Sequence, residues 1–224
     1  MLKTPLIVVN LKTYEKGFGQ SGLALCKAIE AVSQESSICM AAVVNSVDIS
    51  LYSHSVKIPI LAQHVDCIAF GAHTGHILPE AVSNAGAVGT LINHAERQIS
   101  DDEIAKIIIR SRDVDLNTIL CTADIERTFA GAKLNPNMIA IEPPELIGGD
   151  ISVSSANPEI ISETVSKVSE ISRDIKILCG AGVKNRDDVS KAFELGVDGI
   201  LLASGVVLSD NPKETLQDLV SGIQ

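Results

Sequence analysis

Short apolar runs alternate with helix-like segments along the whole chain. Eight of the runs are continuous and too short for helices, which is typical of strands buried on both faces. The predicted strands are residues 6–9, 38–44, 58–62, 87–92, 118–121, 138–141, 175–179 and 199–202.

Helix start signals lie between these runs. Ser100 and Glu103 have the spacing of a capping box and predict a helix that carries residues 104–109. An asparagine cap followed by proline at the first helical position occurs at Asn157 and again at Asn211. Strands that alternate with helices in this way predict an α/β protein with a parallel sheet and helices outside it.

Polar residues and glycine gather directly after the predicted strands. They are Asn10, Gln63, Asn93, His94, Glu142 and Gly180. An open doubly wound sheet could also hold eight strands. The strand count and this clustering nevertheless favour a closed (β/α)8 barrel, because barrel enzymes keep their chemistry at the carboxyl ends of the strands. The chain has 224 residues. Since about 250 are typical of that fold, we expect trimmed helices and loops.

Composition narrows the class of protein and its partners. Apolar residues make up 46% of the chain and no linker divides it, which predicts a single domain over residues 1–224. The formal net charge of −10 argues against nucleic acid or anionic membrane as a partner. A small anionic substrate remains compatible with that charge if local cations and helix N-termini bind it.

The cysteines and the length of the apolar runs bear on location. The five cysteines are an odd number without a C-x-x-C pair, and several lie in apolar runs, as expected of reduced thiols. No apolar run reaches the roughly 18 residues of a membrane span, and the N-terminal stretch lacks the pattern of a targeting segment. We therefore expect a soluble, cytoplasmic protein.

Residues 138–149, MIAIEPPELIGG, form the most informative stretch. The apolar strand ends in Glu142, where burial would disfavour the ionised carboxylate and raise its pKa. Two prolines stiffen the chain after it, apolar residues follow, and Gly148 and Gly149 make the far end permissive. This arrangement predicts a lid over Glu142. The alternative is a strand cap followed by an ordinary loop.

Three further side chains follow strands one and four. Asn10 and Lys12 point the same way by strand alternation, into the barrel mouth. A lysine there is costly unless it meets an anion, although a plain surface lysine is the alternative. We expect His94 near the start of a short helix, whose dipole disfavours imidazolium. A neutral ring could donate to a carbonyl oxygen, whereas the alternative is a structural histidine that caps a turn. Glu96 and Arg97 fit an ion-paired supporting role.

Two turns of small residues follow strands seven and eight. Small residues let backbone N–H groups approach an anion, and this end of such barrels is the usual location of phosphate. The turns contain Gly180, Ala181 and Gly182, and Ala203, Ser204 and Gly205. Together they predict a phosphate-binding site.

A third cluster has the residue types of a metal site. It contains His64, Asp66, Cys67, His73 and His76. The two histidines spaced by two residues lie in a glycine-containing loop, with no helix to fix ligand geometry. We therefore interpret the cluster as part of a structural or interface loop and expect no bound metal.

Six motifs taken together resemble triosephosphate isomerase. They are N-L-K after strand one, G-A-H-T-G in the third connection, N-H-A-E-R after strand four, A-I-E-P-P-E-L-I-G-G at strand six, C-G-A-G-V after strand seven and G-I-L-L-A-S at strand eight. They occur in the order found in that family and extend from residue 10 to about residue 207. The short length and the E-P-P-E-L-I-G segment resemble the archaeal form, which is commonly tetrameric.

The resemblance implies a TIM barrel of glycolysis and gluconeogenesis that interconverts dihydroxyacetone phosphate and D-glyceraldehyde 3-phosphate, with no cofactor. A glutamate base, a neutral histidine and a closing loop are the known devices of this family. By position, Glu142 would be the base, His94 would polarise the carbonyl, Lys12 would offset substrate charge and Asn10 would orient the substrate. The implied substrate-binding residues are Ile147, Gly148, Gly180, Ala181, Gly182, Ala203 and Ser204.

The 66–77 loop has small and mildly apolar residues at its tip, including Phe70, which suits a covered surface better than an exposed one. In the family this loop projects into a neighbouring subunit, where the residue matching Thr74 meets the partner's N-L-K turn. The resemblance therefore implies a two-fold dimer, and two dimers could form the archaeal tetramer.

The chain departs from the family at three places. Gly149 and Asp150 replace a usual Thr-Gly, and Ala95 replaces a serine. Ala203 and Ser204 replace a Gly-Gly pair, so the backbone there must suit residues that have a Cβ.

Two alternatives compete with an isomerase of this family. One is another phosphate-sugar barrel, such as a ribulose-phosphate epimerase or a tryptophan-pathway isomerase, which does not explain N-L-K, N-H and E-P-P together. The other is a barrel that binds a sugar phosphate without turnover, which has no need of a general base.

Overall fold

The computed structural model describes residues 2–143, 146, 147, 149 and 152–223, with residue 153 described without its side chain. Eight parallel strands close into a barrel in chain order, and the last strand pairs with the first. The strands are β1 (Leu6–Asn10), β2 (Cys39–Val44), β3 (Ile60–Ala62), β4 (Gly89–Ile92), β5 (Asn117–Thr122), β6 (Met138–Ile141), β7 (Lys176–Gly180) and β8 (Gly199–Leu202).

Helices surround the barrel and connect successive strands. They are α1 (Gly19–Ser36), α2 (Ile49–Ser55), α3 (Pro79–Asn84), α4 (Asp101–Asp113), α5 (Ile125–Ala132), α6 (Val153–Ala156), α7 (Pro158–Ile171), α8 (Arg186–Glu194), α9 (Ser204–Val207) and α10 (Pro212–Ser221), with a 3-10 turn at Glu15–Gly17. Several are only one or two turns long, so the expectation of trimmed helices is confirmed. Among the described residues, the structure contains no helix of the length and apolarity needed to cross a membrane.

Each predicted strand lies on an observed one, and the continuous apolar runs have a simple cause. Leu6 and Val8 belong to a cluster made of barrel residues, whereas Ile7 and Val9 belong to a larger cluster that includes the helices. Successive residues of β1 therefore face the barrel interior and the helix layer in turn, and every position is buried. The (β/α)8 prediction is confirmed.

The helix signals were mostly correct. Ser100 and Glu103 form the predicted capping box at the start of α4. The Asn211 side chain accepts a hydrogen bond from the first turn of α10. α7 begins after Asn157 as predicted, but the Asn157 side chain makes no capping hydrogen bond.

Candidate active site

A cleft of about 490 Å³ opens at the carboxyl ends of the barrel strands. Nine of the residues predicted to act in catalysis or substrate binding line it. They are Asn10, Lys12, His94, Glu142, Ile147, Ala181, Gly182, Ala203 and Ser204. Closure of the barrel is what brings these residues together, because they follow strands that lie far apart in the sequence.

Glu142 follows β6 and is held at the end of the sheet. Its backbone N–H donates to the carbonyl oxygen of Thr122 at 2.8 Å, and only 7% of the residue is exposed. Burial raises the pKa of the Glu142 carboxyl, although His94, a hydrogen bond from the Cys121 thiol and Lys12 oppose this shift. Within the described part of the chain, Glu142 Oε2 has no hydrogen-bond partner. A buried carboxylate with a raised pKa and a free oxygen suits a group that accepts a proton.

Gly180, at the end of β7, does not line the cleft but makes room for Glu142. A Cβ built at this position would lie 2.4 Å from Glu142 Cγ, which is closer than two carbon atoms can pack. The next two residues, Ala181 and Gly182, have φ angles of 70° and 72°. Glycine at 180 therefore sets the position of the carboxylate, and the turn beyond it has left-handed backbone angles.

His94 lies in a turn after β4, and α4 begins only at Asp101. The prediction that His94 sits at a helix start is therefore wrong, because the chain makes a tight turn here, with the Arg97 N–H donating to the His94 carbonyl at 2.7 Å. The Glu96 N–H donates to His94 Nδ1 at 3.2 Å. In the neutral ring, an Nδ1 that accepts leaves the hydrogen on Nε2, which lies 3.9 Å from Glu142 Oε2.

Lys12 is held by contacts with three residues from different parts of the chain. Its φ angle is 47°, and its backbone N–H donates to Asn10 Oδ1 at 3.0 Å. Gln63 Nε2 donates to the Lys12 carbonyl at 2.7 Å, and Lys12 Nζ lies 2.8 Å from Glu96 Oε1. Glu96 thus has the supporting role that the sequence predicted, as the ion-pair partner of Lys12. These contacts fix the ammonium group at the mouth of the barrel.

The β8 turn carries Ala203 and Ser204 at the departure from Gly-Gly. Ala203 has a φ angle of −140°, and Ser204 is the first residue of α9. Its ψ angle of −85° puts Ala203 outside the main extended and helical regions, so the expectation that the backbone here suits a residue with a Cβ is not met at Ala203. Both residues line the cleft together with the β7 turn.

The segment after Glu142 is described in part. The Leu146 N–H donates to the Pro143 carbonyl and the Gly149 N–H donates to the Leu146 carbonyl, each at 3.0 Å, while Ile147 and Gly149 line the cleft. The predictions for Pro144, Glu145, Gly148 and Asp150 lie outside the described residues. The lid, and the role of Gly148 in substrate binding, therefore stay predictions.

Comparison with known proteins identifies the family. A model of the triosephosphate isomerase family matches residues 5–221. The chain belongs to the triosephosphate isomerase family. It is 47% identical over 221 residues to the triosephosphate isomerase of Methanobacterium bryantii, covering 99% of this chain and 98% of that protein. It is 46% identical over 218 residues to that of Methanocaldococcus jannaschii, covering 97% of this chain and 100% of that protein.

The chain is also 42% identical over 217 residues to the triosephosphate isomerase of Methanothermus fervidus, covering 97% of this chain and 98% of that protein. The similarity therefore spans nearly the full length of these relatives. The resemblance to the short archaeal form of triosephosphate isomerase is therefore confirmed.

The 66–77 loop has its two ends tied together. The Asp66 carboxylate accepts from the Ile77 N–H at 2.6 Å, and the Asp66 N–H donates to the Ile77 carbonyl at 2.9 Å. His64 Nε2 and Arg97 Nη2 lie 3.0 and 3.1 Å from Asp66 Oδ1. Phe70, at the tip, is 76% exposed. In the part of the chain that the structure describes, no group of three or more His, Cys, Asp or Glu residues could hold a metal ion.

Some residues of the site had no sequence-based role. Asn93 has a φ angle of 59°, accepts from the Ile99 N–H and donates to the Cys121 carbonyl, and so shapes the turn that carries His94. Asparagine tolerates left-handed angles, which was an available signal. Gln63 was noted only as a polar residue after a strand. Its contact with Lys12 spans 51 residues and has no local signal.

Proposed function

We propose that this protein interconverts dihydroxyacetone phosphate and D-glyceraldehyde 3-phosphate through an enediolate. Family membership supports the reaction. The observation that carries the mechanism is that Glu142 Oε2 and His94 Nε2 lie 3.9 Å apart in the same cleft as Lys12, with both Glu142 and His94 only 7% exposed.

Glu142 is the base. It removes a proton from the carbon next to the carbonyl group, becomes the neutral acid, and returns the proton to the neighbouring carbon. One proton also passes from the substrate hydroxyl oxygen to the former carbonyl oxygen, so the protein is unchanged after turnover. Its burial favours the neutral acid and thus raises its driving force as a base. The unpartnered Oε2 is available for this proton.

The other three side chains act on the oxygen atoms of the substrate. His94 donates a hydrogen bond from Nε2 to the carbonyl oxygen, which gains negative charge as the enediolate forms. Lys12 offsets the charge of the substrate, and Asn10 orients it. Backbone groups hold the phosphate, namely those of Ile147, Gly148, Ala181, Gly182, Ala203 and Ser204. Gly180, predicted with them, does not line the cleft and acts instead by leaving room for Glu142. This chemistry calls for no cofactor or metal.

The direct test is turnover of D-glyceraldehyde 3-phosphate, coupled to glycerol-3-phosphate dehydrogenase and NADH, with proton exchange in D2O followed by NMR. We expect deuterium at the carbon that accepts the proton, because the proton held by Glu142 exchanges with solvent while the enediolate exists. Glu142→Gln removes the base and should lower kcat by about 10²–10⁴-fold.

Glu170→Gln is the matched control, because it makes the same change at an exposed glutamate of α7. It should leave kcat unchanged. Binding of the triose phosphate without turnover would favour a non-catalytic sugar-phosphate barrel, and turnover of a pentose phosphate instead would favour an epimerase.

We also propose a homodimer through the 66–77 loop, and a tetramer built from two dimers. Two features of the described residues support the dimer. Phe70 is a large apolar side chain exposed at the tip of the loop, which is typical of a surface that contacts another protein. A second open cleft of about 820 Å³ also contacts Lys12 and is lined by Asn10, Gln63 and His64. Insertion of the partner's loop there would brace Lys12 and Asn10 from a second chain.

Two broader proposals concern the chain as a whole. One domain is supported by the single barrel that uses strands from residue 6 to residue 202. A cytoplasmic location, suited to glycolysis and gluconeogenesis, is supported by the five free cysteines, three of them buried.

A further inference from the structure

Asp188, in the first turn of α8, joins two parts of the chain that flank the cleft. Its Oδ1 accepts a hydrogen bond from the Ser152 hydroxyl at 2.6 Å, and its Oδ2 accepts from the Lys184 N–H at 3.0 Å. Its backbone carbonyl accepts from the Ser154 hydroxyl at 3.1 Å. Ser152 and Ser154 lie at the start of α6, whereas Lys184 belongs to the turn after β7 that lines the cleft.

These contacts are buried on the α6 side. Ser152 is 1% exposed and Ser154 is fully buried. A buried hydroxyl that loses its partner keeps the cost of its desolvation, so such contacts resist breakage. The carboxylate of Asp188 therefore holds α6 and the β7 turn together by charge-assisted hydrogen bonds.

Helix capping accounts for only part of this arrangement. Asn185 is the N-cap of α8, and its Oδ1 accepts from the Asp188 N–H at 3.0 Å. A first-turn carboxylate that reaches back to the Lys184 N–H also fits a capping role. The contact with Ser152 does not, because Ser152 belongs to another element and lies 36 residues away.

The β7 turn needs outside support. Ala181 has a φ angle of 70°, which is unfavourable for a residue with a Cβ. α6 also packs against β7, the strand that leads into the turn. α6 thus supports the turn at its start through β7 and at its far end through Asp188, which binds the Lys184 N–H.

We propose that Asp188 is a positioning residue that clamps the 180–184 turn against α6, so that the backbone N–H groups of the turn face the substrate phosphate. Asp188 does not touch the substrate. The inference rests on the proposed function, since it requires that the β7 turn binds the phosphate of the triose.

The test compares a phosphorylated and an unphosphorylated substrate. In Asp188→Ala, the KM for D-glyceraldehyde 3-phosphate and the Ki for inorganic phosphate should rise about tenfold, as expected for the loss of charge-assisted hydrogen bonds. The kcat/KM for D-glyceraldehyde should change less than about twofold, because that substrate has no phosphate. Asp188→Asn keeps an oxygen for the Lys184 N–H and an amide for Ser152, and should restore most of the phosphate affinity.

Asp187→Ala is the matched control, because the neighbouring aspartate has an 89% exposed side chain and should tolerate the same change. An unchanged Ki for phosphate in Asp188→Ala, or an equal loss with both substrates, would overturn the proposal. If Asp188→Ala does not fold, Ser152→Ala removes one contact and should raise the same Ki about threefold. Calorimetric titration with phosphate separates this result from the proposed function, which fails only if the wild type does not isomerise triose phosphate.

Discussion

The two halves of the barrel mouth present different kinds of group to the cleft. The half formed by β1, β4 and β6 presents the side chains of Lys12, His94 and Glu142. The half formed by β7 and β8 presents two turns, 180–184 and 203–205, whose small residues at the cleft are Ala181, Gly182, Ala203, Ser204 and Gly205. In the first half the side chains are held by neighbouring side chains, as Lys12 is by Glu96. The β7 turn is held instead by Asp188 of α8, which lies outside the cleft and accepts from the Lys184 N–H.

This difference shows how each half can be altered. A substitution in the side-chain half removes a reacting group and leaves the backbone in place. In the backbone half no substitution removes an N–H group other than one to proline, so changes act through shape and support. The side-chain half should therefore lose turnover when mutated, and the backbone half should lose affinity for the phosphate.

The largest effect should come from moving the base. Glu142→Asp withdraws the carboxylate by one methylene, on the order of 1 Å, a misplacement that can cost about 10²-fold. We expect kcat to fall by at least that factor while KM changes little, as measured in the coupled assay. A nearly wild-type kcat would remove Glu142 from the role of base, and Glu170→Asp serves as the matched control.

Gly180→Ala tests the contact between the two halves, where Gly180 of β7 packs against Glu142. The new Cβ would lie 2.4 Å from Glu142 Cγ, so the side chain of the base must move. We expect kcat to fall by up to about 10²-fold through a backbone-half substitution, with the Ki for phosphate little changed. Gly131→Ala, on α5, is the control, since its new Cβ would lie 2.5 Å from Leu120 Cδ2, a side-chain end that does not line the cleft. A larger change in Ki than in kcat would show that Gly180 acts on the phosphate turn and not on Glu142.

The proposed dimer adds a second chain to the side-chain half. Thr74→Arg places a bulky charge at the exposed tip of the 66–77 loop and should split the dimer. Because Lys12 and Asn10 would lose their brace, we expect turnover to fall on the order of tenfold, and further on dilution. Sedimentation and activity measured together test this, with Thr74→Ser as the control. A monomeric wild type with full turnover per chain would contradict it.

The smallest effect concerns the pH profile. Burial raises the pKa of Glu142, and the base must be ionised to act, so kcat/KM should fall tenfold per pH unit below that raised pKa. The loss on acidification should therefore begin above the ordinary glutamate value of about 4.3. A profile that is flat down to that value would show that Glu142 is not the titrating base.

Ala95→Ser sharpens this measurement. Ala95 and Glu142 line the same small cavity, and the unpartnered Oε2 could accept from a new hydroxyl. A hydrogen bond to the charged form lowers a pKa, so the acid limb should move down by up to about one pH unit. Comparing the two enzymes with one substrate cancels the ionisation of the substrate phosphate. A limb that does not move would mean that the hydroxyl does not reach Glu142.

Local sequence patterns were sufficient to predict most of the fold. Continuous apolar runs predicted all eight strands because each strand is buried on both faces. The error at β3, predicted over residues 58–62 and observed from Ile60, has a local cause, since Pro59 has no N–H to donate to a sheet ladder. His94 was predicted at the start of a short helix before α4, whereas the chain there makes a single turn closed by the Arg97 N–H and the His94 carbonyl. The intervening turn was not recognised.

The sequence by itself determined which residues stand at the ends of buried strands, and therefore which side chains and small-residue turns enter the cleft. The tertiary structure decided how they are held. Lys12 meets Glu96 across 84 residues of sequence, and Ser152 meets Asp188 across 36. The fit of Glu142 against Gly180 likewise depends on the register of β6 with β7. The pattern of apolar residues indicates which positions are buried but not which residues they contact. These contacts form only when the barrel closes and its strand registers are fixed.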